Sequence, residues 1–259
     1  MLRFIFSVCG AVFSAVTLAV MMMALTIGAV FWMYGRDLPS HASLAQYKPA
    51  TISRIYSTEG KIIDEFAKQR RLFTASDKIP DLIKQAFISA EDKNFYTHKG
   101  YDARGILSAA VDAVRSKGRN VRGASTITQQ VMKNFLLSGD RRAERKIKEI
   151  ILATRLENTL NKERILELYL NEIFLGQNSY GVTAAAQTYF NKTLDELVPH
   201  EAAFLASLPK APSDFHPVRR KERVTSRRNF VLKEMFENGY ISQAAYETER
   251  SKPLRSVQN

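Results

Sequence analysis

The chain has 259 residues, a single cysteine and a formal net charge of +12. That length suffices for one sizeable core, or for one domain with an appendage. The lone Cys9 excludes an intramolecular disulfide and leaves the redox compartment open. The basic excess points to an anionic partner: nucleic acid, a phosphate-bearing substrate or acidic lipid headgroups.

Phe4 to Gly35 carry no charged side chain. The run exceeds the ~20 residues that span a bilayer, whereas the apolar part of a cleaved signal peptide is usually ~7–15. It therefore reads as an uncleaved anchor, with Trp32 and Tyr34 suited to the membrane–water interface. Arg3 precedes it and Arg36 follows it, a weak positive-inside bias that sets the body outside. An anchored chain makes DNA the least fitting anionic partner.

Residues 36–50 form a polar connector with prolines at 39 and 49. Thr51–Tyr56 and Lys61–Phe66 flank the Gly-bearing turn Ser57–Gly60 and predict a β hairpin. Beyond Pro80 the pattern is helical. Leu82, Ile83, Ala86, Phe87 and Ala90 share one face of a helix that ends at Glu91. The apolar Ile106–Val114 runs into the basic loop Arg115–Asn120. Helices are predicted over Thr126–Leu137, Ala143–Leu160, Lys162–Ile173, Pro199–Leu208, Arg223–Asn238 and Ser242–Arg250. Asn161 suits the cap of the third of these, and Pro209 stops the fourth. The body is thus mainly α with a small β hairpin.

Glu91-Asp92-Lys93-Asn94-Phe95-Tyr96-Thr97-His98-Lys99-Gly100 is the first chemical candidate. Two carboxylates close an apolar helix, and burial beside apolar surface raises a carboxyl pKa toward the range of a general base or acid. Alone, the stretch reads equally well as a solvated helix end with a Gly stop. Gly123–Asn134 comes second. Small residues, hydroxyls and amides open a helix that carries Lys133, as at an anion-binding N-terminus, although the P-loop spacing is missing. An ordinary capped polar helix is the competing reading. Arg145 and Glu149 are i, i+4 neighbours, which spacing alone assigns to a routine exposed pair. Ile165, Leu166, Tyr169 and Ile173 make a core stripe, and Arg227–Leu232 reads as a scaffold helix with a basic face.

In this order and spacing, these segments resemble the peptidoglycan glycosyltransferases of glycosyltransferase family 51. More closely, they resemble the N-terminal half of bifunctional class A penicillin-binding proteins of the 1A type. The patterns E-D-x-x-F-x-x-H-x-G, G-x-S-T-I-T-Q-Q with K-N, R-K-x-x-E and I-L-E-x-Y-L-N stand without substitution at Glu91–Gly100, Gly123–Asn134, Arg145–Glu149 and Ile165–Asn171. The resemblance implies a lysozyme-like, two-lobed, mainly α glycosyltransferase domain over residues 51–246. One transmembrane helix within 1–35 precedes it, 36–50 connects the two, and 247–259 is a tail. Ile106–Asn120 falls in a smaller, membrane-associated lobe.

The implied reaction polymerises lipid II into β-1,4-linked glycan strands by inversion, releasing undecaprenyl diphosphate. Glu91 takes the base position and Glu149 that of the second essential carboxylate. Lys133 and Arg145 match phosphate-contacting positions, and Asp92, Phe95, His98, Ser125, Thr126, Gln130 and Asn134 complete the substrate-binding motif positions. His98 is expected to orient a neighbour by hydrogen bonding and Phe95 to pack. A divalent cation, Mg or Mn, is implied at the diphosphate, with no organic cofactor. Implied partners are lipid II, the growing strand, the inner membrane and other cell-wall synthesis or division proteins, with no nucleic acid. The catalytic domain would face the periplasm.

Ser207-Leu208-Pro209-Lys210 matches Ser-x-x-Lys formally, but Pro209 breaks the required helix and no Lys-Thr-Gly follows. The chain stops where a transpeptidase half would begin, as a truncated bifunctional enzyme or a naturally short protein would. A lytic enzyme would also use two carboxylates but has no diphosphate to hold. A non-catalytic scaffold would not need an intact Glu91.

Overall fold

The computed structural model describes residues 2–36, 38, 53–56, 62–66, 70–115, 125–136, 142–212, 215, 217 and 219–257. The apolar run at the N-terminus is one helix, α1 (Leu2–Gly35). A helix satisfies its own backbone polar groups, which is what a hydrocarbon environment requires. Its apolar side chains are exposed, and Cys9–Gly35 is long and apolar enough to cross a membrane. At its end the Arg36 guanidinium lies 4.7 Å over the Trp32 ring, pairing a cation with an interfacial aromatic.

The expected hairpin forms from β1 (Ser53–Tyr56) and β2 (Ile62–Phe66), paired antiparallel. Its turn, Ser57–Gly60, lies outside the described residues. β3 (Arg70–Arg71) pairs in parallel with β4 (Ser179–Tyr180), a two-residue ladder too short to leave a periodic signal.

The helical body follows as α2 (Asp81–Glu91), α3 (Ala103–Arg115), α4 (Ile127–Leu136), α5 (Arg142–Glu157) and α6 (Lys162–Glu172). It continues with α7 (Val182–Phe190), α8 (Pro199–Ser207), α9 (Lys221–Glu237) and α10 (Gln243–Ser251). These match the expected helices to within a few residues at each end. Residues 116–124 and Leu137 lie outside the described residues. Helix α7 was not expected. It starts after Gly181 at φ 80° rather than at a polar cap, and its buried face is largely alanine.

Helix α8 organises the core. Glu201 to Ser207 are all buried, so this helix is covered on every side, by α2, α9, α7 and α10. Helix α4 packs between α5 and α6, and α1 leans on α5, where Arg155 Nη2 donates to the Gly35 carbonyl at 3.0 Å. Asn161 Oδ1 accepts from the Arg164 amide at 2.9 Å, capping α6 as expected. Along α6 the apolar stripe Ile165, Leu166, Tyr169 and Ile173 is buried. Its polar positions act as staples: Glu167 accepts from the Ser76 amide at 2.7 Å, and the Asn171 amide exchanges bonds of 2.8 and 2.9 Å with the Thr74 backbone.

Gly100 shows how tightly the loop after α2 lies on α5. Its φ is +93°, and a Cβ there would sit 2.7 Å from backbone atoms of Ala153 and Thr154. Neither the dihedral nor the helix backbone can yield cheaply. Gly100→Ala is expected to destabilise the protein by roughly 2–3 kcal/mol, read as a lowered Tm in detergent.

Candidate active site

Helix α2 delivers two carboxylates to its own C-terminal end, where the helix dipole disfavours negative charge. Both are compensated from other elements. The chain leaves the helix at Asp92 (φ −158°, ψ 71°), turning its side chain toward the start of α4. Asp92 Oδ2 accepts the Ile127 amide at 2.9 Å and the His98 Nε2–H at 2.8 Å. The Gly100 amide donates to His98 Nδ1 at 3.1 Å, which sets the ring proton on Nε2. The His98 ring also contacts Phe95, and Phe95 is wholly buried.

Glu91 lies in an open cleft of about 600 Å³. Gln130 Nε2 donates to Glu91 Oε2 at 2.8 Å. Burial holds the Glu91 pKa above the ordinary carboxylate value. The Gln130 hydrogen bond and the charges of Arg227 and Lys210 oppose that rise, and Asp92 adds to it. Beneath it lies Tyr169, whose buried hydroxyl finds no hydrogen-bond partner among the described residues. Burial, then the charges of Glu91 and Asp92, push this phenol well above its usual pKa, so it stays neutral.

Two cationic walls flank Glu91. One comes from α4 and α5. Ser125, Thr126, Gln130, Lys133 and Glu149 line it, and Lys133 is exposed. Glu149 is buried at 5% exposure, not part of a routine surface pair, with Arg145 Nε 3.3 Å from its Oε1 and Lys146 Nζ 3.2 Å from its Oε2. The other wall carries Lys210, from the 3₁₀ turn Leu208–Lys210, with Arg227, Phe230 and Glu234 from α9. Burial lowers the Lys210 pKa, and neighbouring Arg227 lowers it further.

The structure corrects several expectations. The start of α4 is not an open anion site: Asp92 takes the Ile127 amide and Thr126 Oγ1 the Gln129 amide at 3.2 Å. Thr126 caps this helix, and its hydroxyl donates to the Gly100 carbonyl at 2.8 Å. Phe95 and His98 do not line the cleft: His98 hydrogen-bonds Asp92 and Phe95 packs in the core, the parts expected of them. Asn134 is exposed and also off the cleft wall, and Arg145 reaches it through Glu149. Gly123 and Ala124 lie outside the described residues.

Arg227 and Arg228 do not form a common basic face. Arg227 enters the cleft, while Arg228 is fully buried and donates to the Arg250 and Lys252 carbonyls at the end of α10. Sequence reasoning missed Lys146, Lys210 and Arg227. The i, i+3 spacing of Lys146 and Glu149 was the signal for the first. Lys210 and Arg227 are local surface-type residues until the fold brings α9 over α2. Ser207 is buried and spends its hydroxyl on the Phe204 carbonyl at 2.7 Å, in keeping with its rejection as a nucleophile.

The implied divalent cation finds a poor donor set. Among the described residues, no three His, Cys, Asp or Glu side chains cluster as a metal site. Each Glu149 oxygen faces a cation, and Asp92 Oδ2 already accepts two hydrogen bonds. These residues do not fit a protein-held Mg or Mn ion.

The chain matches the transglycosylase family model over residues 59–236. It is 48% identical over 227 residues to penicillin-binding protein 1A of Rickettsia felis, covering 87% of this chain and 29% of that protein. Against penicillin-binding protein 1A of Escherichia coli K12 it is 44% identical over 242 residues, covering 92% and 28%. The crystal structure of penicillin-binding protein 1A from Haemophilus influenzae aligns with a TM-score of 0.48 at 31% identity, covering 82% of this chain and 22% of that one. By its match to the family model over more than half its length, the chain belongs to the transglycosylase family, the peptidoglycan glycosyltransferases. It spans less than a third of the length of these curated relatives.

Asp92 is the pin between α2, the His98 loop and α4. Removing it leaves a buried amide and a buried ring N–H without an acceptor. Asp92→Ala is expected to lower unfolding free energy by roughly 3 kcal/mol, measured by thermal or denaturant unfolding.

Proposed function

We propose that the chain polymerises lipid II, joining it to an undecaprenyl-diphosphate-linked strand through β-1,4 bonds with inversion. The observation that carries this reading is the placing of Glu91 in a cleft between Lys133 on one wall and Lys210 and Arg227 on the other.

The acceptor 4-hydroxyl gives its proton to Glu91 as its oxygen bonds to the donor anomeric carbon. The bond from that carbon to the diphosphate oxygen breaks, and the leaving diphosphate keeps the electron pair. A raised carboxylate is a stronger base than an ordinary glutamate, and Gln130, Arg227 and Lys210 act against the rise. Charge growing on the diphosphate is met by Lys133 and by Arg145 beside Glu149. Lys210 and Arg227, on the opposite wall, suit the acceptor's own diphosphate. A glycan hydrolase has no need of these cations, which favours transfer over lysis.

Lipid substrates call for a membrane-bound enzyme. Helix α1 is suited to anchor it, and α3 turns Leu107 and Val114 outward at 67% and 80% exposure, which supports contact between this lobe and the bilayer. The body would face the periplasm of a bacterial inner membrane, beside other cell-wall synthesis proteins.

Purified protein incubated with lipid II in detergent is expected to yield long strands on a gel. Shortening of added strands instead would establish the lytic reading. Glu91→Gln is expected to cut polymerisation by roughly 10²-fold or more without lowering Tm. The base must be ionised to act, so activity falls as pH drops through the raised pKa of Glu91. Arg227→Ala removes a charge that favours the carboxylate, so the acid limb of the kcat/KM profile should move to higher pH. A limb that stays put or moves down would disprove that coupling.

A further inference from the structure

Lys146 lies outside the cleft wall, yet its ammonium is fully used. Its Nζ donates to Ser125 Oγ at 2.8 Å, to Gln129 Oε1 at 2.7 Å and to Glu149 Oε2 at 3.2 Å. Three acceptors for three N–H groups complete its donor capacity. Two of these acceptors, Ser125 and Glu149, line the cleft. The third leads away from it: Gln129 Nε2 donates to the Gly100 carbonyl at 3.3 Å, and the Gly100 amide binds His98, which binds Asp92.

We propose that Lys146 is a positioning residue for the transfer reaction, locking Glu149 and the entrance of α4 into one rigid wall that meets the donor diphosphate. The proposal rests on the transferase reading above. A buried carboxylate is costly unless its lone pairs are met. Arg145 meets Oε1 of Glu149 and Lys146 meets Oε2. The two cations and one anion leave a net single positive charge, with Lys146 fixed by its three hydrogen bonds and Arg145 by its ion pair with Glu149.

With Lys146 removed, Glu149 repels the leaving diphosphate and Arg145 loses a fixed counterpart. The loss falls where charge develops, so kcat suffers more than KM. Once the Lys146 side chain is cut back, a small cation can take the place of its ammonium beside Glu149. Arginine cannot, because a planar fork does not reproduce three tetrahedral donors.

The test uses the full chain in detergent with lipid II. Lys146→Ala is expected to lower kcat by about 10–100-fold with KM changed less than about threefold. Millimolar Mn²⁺ should restore at least about fivefold of that loss in Lys146→Ala but not in the Lys146→Ala/Glu149→Gln double variant, because the ion needs the Glu149 carboxylate. Lys146→Arg should recover only part of the activity. Should Lys146→Ala fail to fold, Lys146→Met keeps the stem packing and is measured in its place. A folded variant with kcat within twofold of wild type overturns the proposal, as does a loss that Mn²⁺ never relieves. If wild type itself makes no strands, the transferase reading fails; if wild type polymerises and the Lys146 variants match it, this proposal alone fails.

Discussion

One carboxylate holds the site together. Asp92 sits where the C-terminal end of α2 meets the N-terminal end of α4, accepting the Ile127 amide and the His98 ring N–H. At the end of α2 its charge opposes the helix dipole, and at the start of α4 the same charge is favoured. The geometry resolves the conflict by assigning the carboxylate to α4. With α4 pinned, Gln130 reaches Glu91 and Thr126 reaches the Gly100 carbonyl. Gly100 in turn lies on the backbone of α5, the helix that supplies Arg145, Lys146 and Glu149.

Adjacent acids are thereby given different tasks. Both line the cleft, but Asp92 Oδ2 is taken by the Ile127 amide and the His98 ring, whereas Glu91 accepts only from Gln130 among the described residues. A carboxylate among so many cations would ordinarily have a depressed pKa. Burial outweighs them at Glu91, with the buried, neutral Tyr169 beneath it and Asp92 as an unfavourable neighbour. The cations still matter, because they limit the rise. A carboxylate that is to act as a general base must be basic enough to take a proton and still ionised when substrate arrives. Desolvation and flanking charge set those two requirements against each other in one side chain.

Much of this was legible along the chain. The long apolar helix at the N-terminus, the hairpin, the helix ending at Glu91 and the Asn161 cap depend on local pattern. So did the motif positions that brought Glu91, Glu149, Gln130 and Lys133 together on one cleft. What was not legible depends on distance in sequence. Helix α7 carries small residues and starts at a glycine with positive φ, so neither periodicity nor capping announced it. Arg227 and Arg228 are adjacent, yet one enters the cleft and the other is buried against carbonyls at the end of α10. Nothing in a pair of arginines says which is which. The amides at the start of α4 read as open to phosphate, because their acceptor, Asp92, lies 35 residues away from Ile127.

By itself the sequence determined which groups exist and where helices begin and end, since hydrophobic period, caps and breakers act over a few residues. It also determined the family, because motif spacing is a property of the chain. Only the tertiary structure decided what each group does. Whether a carboxylate is a base or a strut, and whether a cation faces substrate or a backbone carbonyl, depends on desolvation and on partners brought in from distant segments. Those quantities come into being when α2, α4, α5 and α9 pack together.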